Sequence, residues 1–432
     1  MITLDYNNMM TEFVTNGIKE EALHALSNIA EKAVLNIEAR RKKDLEFLEL
    51  PYNQNDIIND ILKYRDEMKH IETYVVLGIG GSALGTIALQ NALNHPYYNE
   101  LREEARCGLP KLYVIDNVDP EILASLLEII DVDKSLFNVI SKSGETIETM
   151  SQFKEIKKLL KNSENIVCTT DKENGSLIEI AKEEGYKCFY IPRNVGGRFS
   201  VLTPVSLLPL AFCGVDIKAL LEGAALMDEQ CKSTNISENP ALAFAVLNYL
   251  SMKAGKNIIA MMPYANSLKY ISDWFAQLWA ESLGKKFDRN GNTVHVGSTP
   301  IKTLGVTDQH SMLQLFSEGP YDKIIVFIGS KKYRKEFADH SNLIQIEQAA
   351  TQYALSTAER QNMTITLDEI NEQSIGKLIH FFQIAVAYTA EFLNINAFDQ
   401  PGVEETKKMT YALLHEKEEV LNRVKKKERY VI

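Results

Sequence analysis

The chain has 432 residues, of which 45% are hydrophobic and 24% are charged, a balance typical of a soluble globular protein. Its net charge of −11 argues against nucleic acid or a membrane surface as a partner, because either would require a basic face. The chain is longer than a domain with a single hydrophobic core usually is, so two domains are expected.

Cysteine usage and the N-terminal residues predict a cytoplasmic protein. The five cysteines are scattered, mostly within apolar stretches, and lack the spacing of a zinc site, which is typical of reduced, buried thiols. Residues 1–6 lack the basic-then-apolar pattern of a signal peptide, and no apolar run is long enough to cross a bilayer. We therefore expect neither a metal site nor a membrane anchor.

The first 70 residues are predicted to be helical, since 18–47 combines charged residues with apolar ones at helical spacing. From Tyr74 onward, short apolar strands alternate with helices. These strands are predicted at 74–77, 112–115, 137–140, 166–169 and 188–191. Such alternation predicts a parallel, doubly wound sheet with helices on both faces.

The very apolar stretch 201–215 is predicted to be a buried helix between two domains. Beyond it, a second series of strands is predicted at 258–261, 293–296 and 324–328, with a strand near Ile365 closing the sheet. Helices are predicted over 268–283, from Asp308 to Phe316, over 375–392, and at the chain end around 425–429.

The predicted organisation is therefore α/β, with two doubly wound, mainly parallel sheets and flanking helices. Residues 1–70 would form a helical segment that packs on the larger domain. Residues 71–204 would form a smaller, phosphate-binding domain, and residues 205–432 would form the larger domain with its C-terminal helices.

The stretch 137–146 is predicted to bind an anion, because a buried strand ends there in polar residues and a helix follows. The amides of a first helical turn are unpaired, and the helix dipole adds positive charge. Ser141, Ser143 and Thr146 can each donate a hydroxyl hydrogen, and Lys142 supplies a full charge. The alternative is that this stretch only caps the helix.

The glycine-rich segment 78–85 also follows a predicted strand and opens a helix, as a dinucleotide-binding turn does. The acidic residue expected roughly 20 positions later is missing, since Asn99 and Glu100 lie in a predicted loop. Gly81 allows the backbone close to a ligand, and Ser82 offers a hydroxyl at the helix start. NAD binding stays open as the alternative to a phosphate at the sheet's carboxyl edge.

Two charged positions have both a structural and a chemical interpretation. Arg198 follows two glycines, so it either forms an interdomain ion pair or holds a cation over a cleft where negative charge develops. Gln277, Glu281 and Lys285 fall at four-residue spacing on one predicted helix. Glu281 is therefore either half of an exposed Glu–Lys pair or a base beside an amide that binds substrate.

His310 and Lys407 carry weaker signals when each is taken alone. His310 lies in the first turn of a predicted helix, and the eight histidines show no metal-ligand spacing. Lys407 lies one turn into a helix that follows the loop starting at Phe398, which by itself indicates only a helix start.

Taken in order, these segments resemble the glucose-6-phosphate isomerase family in its shorter bacterial form. The segments that carry the resemblance are 78–82, 141–146, 196–200, 277–286, 305–311 and 398–407. The resemblance spans roughly residues 70 to 410, and segments 197–200 and 399–407 are highly specific. The departures, Ala280, Ser206 and Ala397, touch no reacting group.

The resemblance implies reversible isomerisation of D-glucose 6-phosphate and D-fructose 6-phosphate through a cis-enediol. His310 would open the sugar ring, with Lys407 aligned beside the sugar. Glu281 would move a proton between C2 and C1, and Arg198 would be the counter-charge to the enediolate. No redox step occurs, so neither a nicotinamide nor any other cofactor is expected.

The resemblance also implies the binding residues and the assembly. The matching phosphate-loop residues are Ser141, Lys142, Ser143 and Thr146, and the matching sugar contacts are Gly81, Ser82, Gln277 and Gln400. A homodimer is expected in which His310 serves the site of the neighbouring subunit. A non-catalytic sugar-phosphate sensor is the other alternative, although it would not need Glu281, His310 and Lys407 together.

Overall fold

The computed structural model describes residues 2–335 and 337–415, so the predicted helix around 425–429 lies outside the described residues. Up to residue 190 the strands are β1 (Ile2–Asp5), β2 (Thr73–Leu77), β3 (Lys111–Ile115), β4 (Ser135–Ile140), β5 (Ile166–Thr170) and β6 (Lys187–Tyr190). The helices of this part are α1 (Glu20–Ala25), α2 (Ser27–Arg40), α3 (Asn55–Glu67), α4 (Leu84–Leu93), α5 (Pro120–Ile129), α6 (Ile147–Lys157) and α7 (Ser176–Glu184).

The remaining part continues the alternation of helices and strands. Its strands are β7 (Ile258–Pro263), β8 (Lys285–Phe287), β9 (Thr293–Val296), β10 (Thr299–Lys302), β11 (Lys323–Lys332) and β12 (Asn362–Glu369). Its helices are α8 (Pro204–Phe212), α9 (Ile217–Gln230), α10 (Pro240–Lys253), α11 (Lys269–Leu283), α12 (Leu313–Glu318), α13 (Ala338–Thr357), α14 (Glu372–Leu393) and α15 (Glu404–Leu414). Across the described ranges, no helix is both long and apolar enough to cross a membrane.

The first sheet is fully parallel, with strand order β3-β2-β4-β5-β6. Strands β2, β4 and β5 are buried throughout, because helices cover both faces of a parallel sheet and its strands become continuous apolar runs. The chain leaves β2 toward one edge and returns as β4 on the other side of β2. Ligands bind at such a switch point, outside the carboxyl ends of the strands. The predicted glycine-rich and phosphate loops both begin there.

The second sheet has the order β1-β12-β11-β7-β10, and only β1 is antiparallel to its neighbour. The prediction of two mainly parallel, doubly wound sheets is thereby confirmed. Several details were wrong. The strand predicted at 293–296 is β9, which lies outside this sheet and pairs antiparallel with β8 in a separate two-stranded sheet. Residues 2–5 form β1 instead of part of a helix. β1 is therefore the edge strand, and β12, which was predicted to close the sheet, is the second strand from that edge. The prediction also missed β10, where Pro300 is tolerated because the strand lies at the other edge.

Helix α8 is buried along its whole length, as predicted for the apolar stretch 201–215. Thr203 caps it by accepting a hydrogen bond from the Val205 amide, and Pro204 occupies its first turn. Helix α8 packs against α3, α4 and β2, while α14 packs against α2, α9, α10 and α11. These apolar contacts hold the N-terminal segment and both sheets around one continuous core.

The predicted helix from Asp308 to Phe316 begins later, at Leu313. The Asp308 carboxylate accepts hydrogen bonds from the Leu304 amide at 2.7 Å and from the Ser311 hydroxyl at 2.6 Å. Asp308 therefore stabilises the short turn before α12, because its side chain bonds to backbone and hydroxyl groups of that turn instead of capping α12.

Candidate active site

The Arg198 guanidinium is the most extensively bonded group of the site. Arg198 is 3% exposed and lies in the short 3₁₀ segment Gly197–Leu202. Its Nε donates to the Ser282 hydroxyl at 2.7 Å, and its Nη1 donates to Glu281 and to Gln400, each at 2.9 Å. Its Nη2 donates to the backbone carbonyls of Ala397 and Asp399. All five N–H donors of the guanidinium are thus satisfied.

Burial lowers the pKa of the Arg198 guanidinium, and the charge of Glu281 opposes that effect. A guanidinium that deprotonates only far above neutral pH still stays charged, and its planar fork is fixed by its acceptors. The site therefore contains a rigid positive charge that is largely shielded from water.

The Glu281 carboxylate lies between Arg198 and Gln277, and its side chain is 22% exposed. One carboxylate oxygen accepts from Arg198 at 2.9 Å, and the other accepts from the Gln277 amide at 3.1 Å. Gln277 and Glu281 are one turn apart on α11, so the helix itself brings them together. The Gln277 Oε1 atom is buried and accepts no hydrogen bond from the described residues.

Lys285 does not form the exposed pair with Glu281 that four-residue spacing on one helix would produce. Helix α11 ends at Leu283, so Lys285 already belongs to β8 and its side chain is only 6% exposed. Its ammonium donates to the Glu281 backbone carbonyl at 3.0 Å and pairs with the Asp399 carboxylate at 3.2 Å. Burial lowers the pKa of Lys285, and Asp399 opposes that effect.

The glycine-rich loop after β2 touches the Arg198 segment directly. A Cβ atom added at Gly81 would lie 2.2 Å from the Gly197 carbonyl carbon, so the two backbones meet in van der Waals contact that only glycine permits. Gly80 has a positive φ of 57° and faces the Gln277 amide. Ser82 is partly buried in the same turn, which begins α4.

The phosphate-loop residues cluster between β4 and α6. The Ser141 hydroxyl donates to the Thr146 hydroxyl at 3.1 Å and accepts from the Gly144 amide at 3.0 Å. The Ser143 hydroxyl accepts from the Glu145 amide at 3.2 Å, and Thr146 makes no side-chain cap to α6. The capping alternative is therefore wrong for Thr146, and the first-turn amides of α6 remain available to an anion.

Lys142 connects this loop to the segment that carries Arg198. Its ammonium donates to the backbone carbonyls of Arg193 and Val195, the latter at 3.1 Å. Burial lowers the pKa of Lys142, and the nearby Asp171 opposes that effect. Among the described residues, the Lys142 ammonium bonds only to neutral carbonyls, so an anionic ligand would be a stronger partner.

His310 and Lys407 are not joined to this hydrogen-bonded centre. His310 is exposed in the turn before α12 and forms no hydrogen bond with Glu281 or Arg198. Lys407 lies on α15 with its side chain 59% exposed, and its ammonium pairs with Glu404 at 2.9 Å. The structure thus brings together Arg198, Glu281, Gln277, Gln400 and Gly81, and it leaves these two residues on the surface of the chain.

Asn99, considered above in place of a ribose-binding acid, has a structural role. Its amide donates to the Leu112 carbonyl at 2.7 Å and its oxygen accepts from the Leu112 amide at 2.9 Å. Both polar ends of Asn99 are used in holding β3, so they are not available to a ribose. This observation weakens the NAD alternative.

Sequence reasoning missed three groups that hold Arg198, namely the Ser282 hydroxyl and the carbonyls of Ala397 and Asp399. The serine that follows Glu281 was an available signal, since it is a hydroxyl next in sequence to the proposed base. The two carbonyls left no signal, because any residue type supplies a backbone carbonyl.

Comparison with known proteins identifies the family and supports the fold. A family model described as phosphoglucose isomerase matches residues 63–361 and 330–428. A glucose-6-phosphate isomerase of Carboxydothermus hydrogenoformans is 45% identical, over 100% of this chain and 99% of that protein. One from Methanocaldococcus jannaschii is 39% identical, over 96% of this chain and 100% of that protein. The crystal structure of a glucose-6-phosphate isomerase from Chlamydia trachomatis has a TM-score of 0.86 at 21% identity, covering 97% and 89% of the two chains, and supports the fold.

Proposed function

Since the chain belongs to the phosphoglucose isomerase family, its reaction is the interconversion of D-glucose 6-phosphate and D-fructose 6-phosphate, and we propose that Glu281 and Arg198 carry it out. The observation that carries this proposal is the 2.9 Å ion pair between a half-buried carboxylate and a buried guanidinium, with Gln277 and Gln400 on either side. An aldose–ketose isomerisation needs a base beside the two reacting carbons and a positive charge for the enediolate.

Glu281 is the proposed base that transfers a proton between C2 and C1. A carboxylate can accept a proton, and Arg198 holds one of its oxygens at 2.9 Å. Gln277 holds the second carboxylate oxygen, so the orientation of the base is set by two partners. One carboxylate can remove the proton and return it to the neighbouring carbon, so this step requires no second base.

Arg198 is the proposed counter-charge for the cis-enediolate. Its Nε and Nη2 are held by a buried serine and two backbone carbonyls, whereas Nη1 bonds to the side chains of Glu281 and Gln400. Side chains move more readily than backbone, so Nη1 is the nitrogen that can exchange a present acceptor for a sugar oxygen. A fixed charge stabilises the developing oxyanion without reorganisation cost.

The substrate phosphate is proposed to bind at Ser141, Lys142, Ser143 and Thr146. This proposal is supported by the uncapped start of α6 and by the half-buried Lys142, whose hydrogen-bond partners among the described residues are carbonyls. Further sugar contacts are proposed at Gly81, Ser82, Gln277 and Gln400. The buried Oε1 of Gln277 supports its part, since a buried acceptor without a partner is costly and a substrate hydroxyl would satisfy it.

We propose that the working unit is a homodimer in which His310 opens the sugar ring in the neighbouring subunit's site, with Lys407 beside the sugar. A ring-opening acid must contact the substrate, and His310 is exposed on its own chain without bonding to Glu281 or Arg198. The site of a neighbouring subunit would supply that contact. Gln309 bonds to the Glu347 carbonyl of α13, and α13 exposes Leu343, Ile346 and Tyr353. An exposed apolar helix face next to His310 is typical of a subunit interface.

The domain division at residues 70 and 204 is also part of the proposal. It is supported by the two separate sheets and by the pairing of β1 with β12, which joins the N-terminal segment to the larger half. A cytoplasmic location is proposed as well, because all five cysteines are free.

The Arg198→Lys variant tests the proposed chemistry in an assay that couples fructose 6-phosphate formation to a dehydrogenase. A lysine keeps the charge but cannot make the planar set of hydrogen bonds, so kcat should fall roughly 10²-fold. Binding of glucitol 6-phosphate, which has no carbonyl to ionise, should stay within about threefold, since its affinity depends mainly on the phosphate loop. An unchanged kcat would contradict the role of Arg198.

A further inference from the structure

The backbone that carries Arg198 is held from behind by Gln383, a residue that does not face the substrate. The Gln383 amide on α14 donates to the carbonyl of Phe199 at 3.0 Å. Gln383 is fully buried and Phe199 is 2% exposed, so this hydrogen bond has no competition from water. The Phe199 carbonyl therefore cannot change position without losing a bond that nothing replaces.

His380 fixes which way the Gln383 amide points. The Nδ1 of His380 lies 3.2 Å from the Gln383 oxygen, one turn earlier on the same helix. Since the amide nitrogen donates to Phe199, its oxygen must accept, and Nδ1 must carry a proton. A reversed amide would place two acceptors together at Phe199 and two donors together at His380.

Asp228 anchors the other side of His380. Its carboxylate lies 3.4 Å from the Nε2 of His380 and accepts hydrogen bonds from Arg41 and from the Tyr52 hydroxyl, each at 2.8 Å. Burial alone would raise the pKa of Asp228, but His380 and Arg41 hold it well below its ordinary range. Asp228, His380, Gln383 and the Phe199 carbonyl thus form a continuous line of buried polar groups.

Aromatic packing closes the remaining sides of this chain. The ring of Phe47 lies 4.7 Å from that of Phe199 and 6.4 Å from that of His380. Phe398, which precedes the Asp399 carbonyl that accepts from Arg198, packs on Phe199 at 5.5 Å. The packing holds the rings in place, while the Gln383 hydrogen bond ties the 3₁₀ segment that contains Phe199 to α14.

We propose that Gln383, oriented by His380, is a positioning residue that holds Arg198 in register with the developing enediolate. This inference rests on the proposed role of Arg198 as counter-charge. A shift of about 1 Å in a catalytic group can cost roughly 10²-fold in rate, so a support one residue away affects turnover without touching substrate. Substrate binding through the phosphate loop does not depend on this support.

The test replaces Gln383 with methionine, which has similar length and no amide. The Gln383→Met variant should lose about tenfold in kcat while its KM changes by less than about twofold, the pattern of a lost transition-state interaction. A five-carbon aldonate 5-phosphate, whose carboxylate carries the charge of the enediolate, should bind roughly tenfold more weakly. Neutral glucitol 6-phosphate should bind as it does to the unchanged protein.

The matched control is Tyr388→Phe. Tyr388 lies on the same helix, is 1% exposed, and donates to the Cys231 carbonyl at 2.6 Å, away from Arg198. Loss of the Tyr388 hydroxyl should lower the melting temperature, as Gln383→Met does, and should leave kcat unchanged. Equal losses of kcat in the two variants would show a general effect of core hydrogen bonds and would overturn the proposal.

A second variant, Gln383→Leu, has a side chain that cannot donate to Phe199, so it should lose kcat to the same extent. It serves also where the methionine variant does not fold. In a protein that already carries Arg198→Lys, either change at Gln383 should lower kcat little further, because Gln383 is proposed to act through Arg198. Full additivity, or unchanged binding of the aldonate, overturns the proposal. An unchanged kcat in Arg198→Lys alone would instead overturn the proposed function.

Discussion

At Arg198 the cost of burying a charge is offset by hydrogen bonds from several parts of the chain. Its acceptors come from α11 and from the loop at residues 397–400. A buried charge without partners would cost several kcal/mol, so these acceptors are as necessary to the site as the arginine. The same bonds fix the guanidinium plane, and this is why a lysine is not an equivalent replacement.

Glu281→Gln should retain the fold and the substrate affinity while abolishing proton transfer. The amide preserves the shape of the side chain and can still bond to Arg198 or Gln277, but it cannot act as a base. The loss should therefore fall on kcat. Exchange of the C2 proton in deuterated water, followed by NMR, measures the step directly, and retained exchange would assign the base to another residue.

Removing the phosphate-loop contacts should weaken substrate binding instead. In the double variant Ser141→Ala with Lys142→Ala, two charge-assisted contacts to a dianion disappear, each worth roughly 1.5–3 kcal/mol. KM for glucose 6-phosphate should rise by more than about 100-fold, and unphosphorylated glucose should be a very poor substrate of the unchanged protein. Comparable rates with glucose and its 6-phosphate would show that the loop binds no phosphate.

Among the secondary-structure elements, the contact between the loop after β2 and the Arg198 segment decides the geometry of the site. One loop comes from the carboxyl end of a parallel strand and the other precedes a buried helix, so each is held firmly on one side. At their contact Gly81 has no side chain, and this absence lets the two backbones meet.

Gly81→Ala should push these two segments apart. The added methyl would lie 2.2 Å from the Gly197 carbonyl carbon, a distance that real atoms do not accept. We expect a loss of about 1–3 kcal/mol in the free energy of unfolding and a fall in kcat of at least about tenfold. Gly196→Ala is the control for stability, since a Cβ there meets nothing within 4 Å. Equal melting temperatures for both variants would show that the loops can separate freely.

The sequence allowed the elements to be predicted where burial leaves a continuous apolar pattern, as in β2 and β4. It failed at β1, β8 and β10, which have only three or four residues and show only part of such a pattern. In the site, the spacing of Gln277 and Glu281 predicted a contact within one helix. The Glu281–Arg198 pair joins residues 83 positions apart, and nothing local in the sequence encodes such a contact.

At the scale of the whole molecule, a chain of net charge −11 binds a dianion only where positive groups are concentrated. Lys142 supplies positive charge at the phosphate loop, while Arg198 and Lys285 supply charge that Glu281 and Asp399 partly balance, and each of the three cations has its pKa lowered by burial. Their charges act through a medium of low dielectric constant, so a few cations outweigh the distant acidic surface. The remaining groups of the proposed mechanism, His310 and Lys407, lie at the surface of a single chain.

If His310 completes the neighbouring subunit's site, two inactive variants should restore each other. Glu281→Gln and His310→Ala proteins are mixed under conditions that exchange subunits, and isomerase activity is measured. In a heterodimer one site collects both defects and the other collects neither, so up to about half of the heterodimer's sites should work. Each variant incubated alone is the control, and mass spectrometry measures the heterodimer fraction. If His310 acted across the interface, each heterodimer would contain one intact site. A mixture that contains heterodimers and stays inactive would therefore show that His310 acts within its own chain.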